Sequence, residues 1–246
     1  MRSYTPADGA SSEILPLADP TLSPMLTRYR KKHPGSSLAS LFFFDFCREG
    51  LLVFFNIIYR LKRVDVDHVP AEGGVLMVAN HQSFLDPPAI AIGIRHRQAD
   101  FLARGGLFNF KPFGWLIKQL HAMPIKQGAG DAGAMKATIQ RLNEGKMMIV
   151  FPEGARTSDG EMLEFQRGIA VLIKRANCQI VPVGITGAFD AWPRTKKLPR
   201  LFTKRIVVCY GEPINSKALM EQGTDEAIST LYERVHELVG QAQSHQ

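Results

Sequence analysis

From residue 64 onward, short apolar runs alternate with stretches whose apolar positions recur at helical spacing. The runs VDVDHV (64–69), VLMVA (75–79), DFLA (100–103), AMPI (122–125), MMIVF (147–151), QIVPVGI (179–185) and RIVVCY (205–210) predict strands, the first of them at a sheet edge. Between them the pattern predicts helices over 86–95, 105–120, 131–143 (ended by Gly145), 167–176 and 225–240. Strands alternating with helices predict an α/β domain with a mixed, largely parallel sheet covered by helices. In such sheets reactive groups gather at strand ends, where the loops converge.

The first sixty residues follow a different pattern. Residues 1–37 are rich in Ser, Pro, Gly and charge and end in the basic cluster RYRKKHPGSS, which predicts a flexible arm. Residues 38–63 read as an amphipathic helical segment, continuous or hinged at Gly50. On a helix, Asp45, Glu49, Asn56, Arg60 and Arg63 share one stripe, and Phe, Leu, Val and Ile dominate the rest. The longest uncharged run, Gly50 to Tyr59, is ten residues, too short for a simple bilayer crossing, which takes about 18 or more. Two readings stay open: an interfacial helix with its apolar side in lipid and Arg60, Lys62 and Arg63 at anionic headgroups, or a helix packed on its own domain. Residues 64–246 form the third region, the expected catalytic domain.

Charge narrows the partners. Thirty basic against 23 acidic side chains give +7 over 246 residues, a balance suited to phosphate-bearing partners such as nucleic acid, anionic lipid or a phosphorylated small molecule. Nucleic acid fits poorly, because the basic residues are scattered, without interleaved aromatics or a reading helix. The three cysteines, Cys47, Cys178 and Cys209, lie far apart and suggest neither a disulfide framework nor a zinc knuckle. The first twenty residues lack the basic start and apolar stretch of a secretory signal. This part of the chain is therefore expected to stay in the cytosol.

Two strand ends carry candidate chemistry. In NHQSFLDPP, His81 follows the strand 75–79, and Asp86 precedes two prolines, as an N-cap ahead of proline at the first helical position would. Five residues on a regular helix would turn the two side chains about 140° apart, so contact requires the QSFL segment to fold back. With that contact, Asp86 fixes the imidazole tautomer and the other ring nitrogen can take a proton from a hydroxyl. The spacing alone is weak evidence: seven histidines and eleven aspartates give roughly 0.3 such pairs by chance. Plain capping by Asp86 and a satisfied strand-end histidine are the bland alternatives. A metal site is less favoured, since no second His or Cys sits nearby at ligand spacing. After MMIVF comes PEGARTSDG, with Glu153 and Arg156 flanking Gly154, where backbone can approach a ligand closely. The guanidinium fork of Arg156 suits a phosphate, although exposed ion pairs in such turns are common.

Together NHQSFLD, FPEGARTSDG and VPVGITG, in this order and each at a strand, closely resemble the glycerolipid acyltransferase family of the 1-acylglycerol-3-phosphate acyltransferase type, over about residues 55–215. The resemblance implies an acyl transfer from acyl-CoA or acyl-carrier protein to the free hydroxyl of 1-acylglycerol 3-phosphate, giving phosphatidic acid. In that family the histidine is the general base and the aspartate orients it, roles that fall on His81 and Asp86. It puts Glu153, Gly154 and Arg156 in acceptor binding, and Lys126 where the family has a phosphate-holding arginine. Arg104, at the end of DFLA, is a further candidate phosphate contact. No metal and no tightly bound cofactor are implied; the partners are the lysophospholipid acceptor, the acyl donor and a membrane surface. The departures are Lys126, Ala155 for the usual threonine and Gln166 for a common lysine. They leave open the same chemistry on another lysolipid or an amino-acid-derived lipid, and a non-catalytic membrane-binding module is the reading from another class.

Overall fold

The computed structural model describes residues 38–109, 111–119, 122–125 and 132–246. The chain divides into two compact units, 1–41 and 42–246, and the second contains the sheet. The arm expected over 1–37, and Lys126, lie outside the described residues. In chain order the strands are β1 (Lys62–Val64), β2 (Val75–Ala79), β3 (Ala99–Arg104), β4 (Ala122–Ile125), β5 (Met147–Val150), β6 (Gln179–Thr186), β7 (Val207–Tyr210) and β8 (Ile214–Asn215). The helices are α1 (Leu38–Ile58), α2 (Asp86–Ala91), α3 (Lys111–Gln119), α4 (Ala132–Asn143), α5 (Gly168–Arg175), α6 (Ala188–Ala191), α7 (Ser216–Glu221) and α8 (Thr224–Ser244).

The sheet runs β1-β7-β6-β2-β5-β3-β4, with β8 paired to β6. Neighbours are parallel except β7 and β8, both antiparallel to β6. The sheet is thus mixed and largely parallel, as the alternation of runs predicts. Central β2 is buried along its whole length, which explains why VLMVA is continuously apolar rather than alternating. Its side chains still divide by period two. Val75, Met77 and Ala79 pack in one core cluster with Leu52 and Phe55 of α1, Tyr59 just beyond it, and Ile90 of α2. Leu76 and Val78 pack in the other with Ile169 and Ile173 of α5 and Leu231 and Val235 of α8. Each such side chain contributes about 1.5–3 kcal/mol by leaving water. Gly184 of β6 lets α8 approach closely: a Cβ there would lie 2.4 Å from the Leu238 carbonyl carbon.

Several boundaries differ from the sequence expectations, each for a local reason. The edge strand lies at Lys62–Val64 rather than 64–69, because Asp65 takes the left-handed conformation (φ 58°) and starts a 3-10 turn, Val66–His68. The helix expected over 86–95 ends at Ala91, and that expected over 105–120 is a 3-10 turn, Gly105–Phe108, followed by α3. The C-terminal helix extends to Ser244, and the short elements β8 and α7 were not expected.

Helix α1 passes through Gly50 without a break. Within the second unit it presents Leu52 and Phe55 to the core while Phe46 (78% exposed), Val53 and Ile57 (63%) face outward. Packing on its own domain therefore accounts for one side only. The expected polar stripe does not form as one face, since the helix ends at Ile58 and Arg60, at φ 48°, turns the chain toward β1. No helix among the described residues is long and apolar enough to cross a membrane.

Candidate active site

The site is built where β2 and β5 end side by side. They are parallel neighbours in register, Val78 opposite Val150, so the chain leaves both at the same end of the sheet. His81 lies three residues past one of this pair and Glu153 three past the other. Their meeting is direct: the His81 N–H donates to Glu153 Oε1 at 2.7 Å. Asn80 fastens the third strand, its amide donating to the Ile185 carbonyl (3.0 Å) and its Oδ1 accepting from the Ile185 N–H (2.8 Å). Because neighbouring residues of an extended segment face opposite ways, Asn80 and Gln82 point away from His81, into a polar cavity of about 180 Å³ walled by Tyr232 and His236 of α8.

The segment between His81 and Asp86 folds back as the contact requires. His81 Nδ1 lies 2.8 Å from Asp86 Oδ2, and the same oxygen accepts from the Gln82 N–H at 2.6 Å and the Ser83 N–H at 2.7 Å. Asp86 is fully buried, and the His81 side chain is 19% exposed. Asp86 does not cap α2, contrary to the expectation from its sequence position. The reason lies in the double proline. Pro88 has no N–H to offer, and the Ala89 N–H donates to the Leu85 carbonyl at 3.0 Å, so the carboxylate turns back to the amides of its own turn. An acceptor carboxylate against Nδ1 puts the proton there and leaves Nε2 with its lone pair. Nε2 has no hydrogen-bond partner among the described residues.

The loop after β5 supports the histidine from the other side. Phe151 stacks on the imidazole (centroids 4.0 Å apart, planes at 19°), and the Thr157 N–H donates to the His81 carbonyl at 2.9 Å. Glu153 is 4% exposed. Its second oxygen accepts from the Leu163 N–H at 3.0 Å, so both carboxylate oxygens are held by backbone. Burial, with a smaller push from the nearby Asp86, raises its carboxyl to about 7 against the opposing pull of the two amide hydrogen bonds. Glu153, expected in acceptor binding, here ties two loops together. Gly154 turns the chain at φ +73°, where a Cβ would also meet the Gln166 amide at 2.2 Å. Gln166 in turn donates to the Glu153 carbonyl at 3.2 Å, so the residue that replaces the family's lysine is engaged inside the protein. The Arg156 guanidinium sits 3.5 Å over the Phe84 ring, a cation–π contact that orients it beside the His81 turn.

Of the remaining candidates, Arg104 ends β3, the strand next to β5 on the side away from β2, and Lys126 lies outside the described residues. Asn80, Phe151, Thr157 and Phe84 have parts that the sequence did not reveal. All four fall inside the two motif stretches, but their contacts run to main-chain atoms or a ring face, which leave no charge or spacing signal.

A buried carboxylate, an imidazole bonded to it and an arginine beside them thus meet at the ends of two central strands of an α/β sheet. A sequence model of the Acyltransferase family matches residues 60–186, just over half of the chain and the part that holds both motif loops. The chain belongs to this acyltransferase family and is an enzyme of acyl transfer. It is similar to the 1-acyl-sn-glycerol-3-phosphate acyltransferase of Bacillus subtilis (25% identical over 197 residues, covering 80% of this chain and 94% of that one). The protein of that name from Streptococcus pneumoniae is 30% identical over 173 residues, covering 70% of this chain and 61% of that one. In the crystal structure of the 1-acyl-sn-glycerophosphate acyltransferase PlsC from Thermotoga maritima the same fold recurs, with a TM-score of 0.64, 23% identity and coverage of 83% and 87% of the two chains.

Proposed function

We propose that the protein transfers a fatty acyl group from acyl-CoA or acyl-carrier protein to the free hydroxyl of 1-acylglycerol 3-phosphate, giving phosphatidic acid for phospholipid synthesis. The observation that carries the reading is the His81–Asp86 contact at 2.8 Å, with the acid fully buried and the ring still reachable. The acceptor hydroxyl donates its proton to His81 Nε2 as its oxygen bonds to the thioester carbonyl carbon. The carbon–sulfur bond then breaks, the sulfur takes the proton from the imidazolium, and neutral His81 is restored. Deprotonation in step with attack is worth about 10² to 10⁴-fold in rate, because a glycerol hydroxyl holds almost no alkoxide at neutral pH. The buried Asp86 keeps Nε2 as the accepting nitrogen and stabilises the imidazolium.

Arg156 anchors the acceptor phosphate through its planar fork, with Lys126 and Arg104 as further cationic contacts. Glu153 positions His81 rather than touching the acceptor, since both of its oxygens are engaged by main-chain amides. The names of the Bacillus and Streptococcus relatives support the acceptor. On this reading the enzyme works peripherally at the cytoplasmic face of a membrane, because its acceptor resides there.

The test is thiol release from acyl-CoA and from acyl-carrier protein with a panel of lysolipids. Turnover with 1-acylglycerol 3-phosphate above all other acceptors is the expected result. Preference for another lysolipid, or for an amino-acid-derived one, would keep the chemistry and replace the acceptor. No release with any pair would contradict the reading.

A further inference from the structure

Between α6 and β7 the segment 192–206 carries six basic side chains, Arg194, Lys196, Lys197, Arg200, Lys204 and Arg205, and no acidic one. Amid them Leu198, Leu201 and Phe202 are 78%, 53% and 70% exposed. Isolated exposed apolar residues are ordinary, but three large ones within five positions are a surface feature. The segment is held in shape. The Arg200 N–H donates to the Ala191 carbonyl at 2.7 Å, and the Lys196 N–H to the Pro193 carbonyl at 3.0 Å. Arg60 reaches the Thr203 carbonyl at 2.6 Å. Phe202 itself sits at φ 56°, a left-handed conformation unfavourable for a bulky residue, yet its ring gains no burial from it.

The charges are available. Lys204 lies 3.5 Å from Asp190, whereas no acidic side chain among the described residues pairs with Lys196, Lys197 or Arg200. The base of the segment abuts the active site: Ser83 Oγ donates to the Trp192 carbonyl at 2.9 Å, and Arg194 donates to the Arg156 carbonyl at 3.3 Å. Phe84, under the Arg156 guanidinium, packs against Trp192 with ring centroids 5.2 Å apart.

We infer that residues 194–205 are a docking loop that seats Leu198, Leu201 and Phe202 in the surface of an anionic lipid bilayer and rests its basic side chains on the phosphate headgroups. Cationic charge with protruding apolar side chains is the complement of that surface; a free phosphate or an acidic protein would match the charge and leave the apolar tips unexplained. The loop is separate from α1. It brings the bilayer to the edge of the site, so a lipid acceptor needs only a short excursion to reach His81. The inference rests on the proposed lipid acceptor for its purpose, and its test does not depend on turnover.

The full chain is sedimented with vesicles of phosphatidylcholine alone and of phosphatidylcholine with phosphatidylglycerol, at low and high salt. Replacing Leu198, Leu201 and Phe202 by Ser weakens partition onto the anionic vesicles about 10-fold or more. Lys196→Gln, Lys197→Gln and Arg200→Gln together weaken it on the order of 100-fold at low salt, at about five-fold per charge, and far less at high salt. Both variants keep the wild-type rate on a short-chain lysophosphatidate below its micelle concentration; should the apolar variant lose that rate, the charge variant decides by the same two readouts. Vesicle binding unchanged in these variants overturns the inference. So does loss of binding to an acidic acyl-carrier protein with vesicle binding intact. A wild-type chain that binds anionic vesicles through this loop but acylates no lysophosphatidate would remove the proposed acceptor and leave the docking surface standing.

Discussion

The turn after β2 and the segment 192–206 lie side by side, joined through Ser83 and Trp192, and they are built to opposite specifications. In the turn, every polar atom of His81 except Nε2 is committed: N–H to Glu153, carbonyl to Thr157 and Nδ1 to the buried Asp86. In the segment the backbone is tied while Lys196, Lys197, Leu198, Arg200, Leu201 and Phe202 project outward, charged and apolar alike. The difference matches the two tasks proposed for them. Proton transfer needs a ring fixed to fractions of an ångström, whereas meeting a fluctuating surface needs exposed groups on a fixed stem.

Breaking the rigid side should cost the most. His81→Ala is expected to reduce acyl transfer about 10² to 10⁴-fold with the melting transition unchanged, as initial rates of thiol release and a thermal melt would register. Glu153→Gln is a milder perturbation of the same clamp. Gln offers one oxygen where two amides donate, so one hydrogen bond is lost, and a fall of about 10 to 100-fold in kcat with little change in KM is expected.

The same variant tests the electrostatics. Glu153 is raised from an ordinary 4.5 to about 7 in the folded protein, so between these values the native state binds more protons than the unfolded chain. Its contribution to stability is therefore full below about pH 4.5 and is lost as pH rises through about 7. Melting curves from pH 5 to 8 should show wild type losing stability relative to Glu153→Gln as pH rises; a constant gap would contradict the burial argument. On the recognition side, Arg156→Lys keeps the charge and loses the fork. The smallest effect is expected here, a KM for lysophosphatidate raised about 10-fold with kcat nearly kept.

Much of this is legible in the sequence. The alternation of apolar runs yields the α/β class, and the two motif stretches locate the strand ends that meet. Asp86 illustrates what is not. Its position ahead of Pro87 reads as a cap, and only the absence of an N–H on Pro88 points the other way. Glu153 is the harder case. An acid beside an arginine reads as ligand-binding, but its partners are the amides of His81 and Leu163, one of them 72 residues away in sequence, and main-chain donors leave no trace in residue identity. Asp65 broke the expected edge strand through a left-handed conformation that aspartate tolerates but does not announce. The apolar residues of the 192–206 segment have no periodicity; what marks it is exposure, which only packing reveals.

The central claim is that Asp86 acts through His81, and a double-mutant cycle tests it most directly. Thiol-release rates would be measured for His81→Ala, Asp86→Asn and the double variant, each with a melting curve. If the acid serves only to orient and stabilise the ring, the double variant transfers acyl groups at the same residual rate as His81→Ala. Losses that multiply would contradict the account, because Asp86 would then be contributing to the reaction without the imidazole.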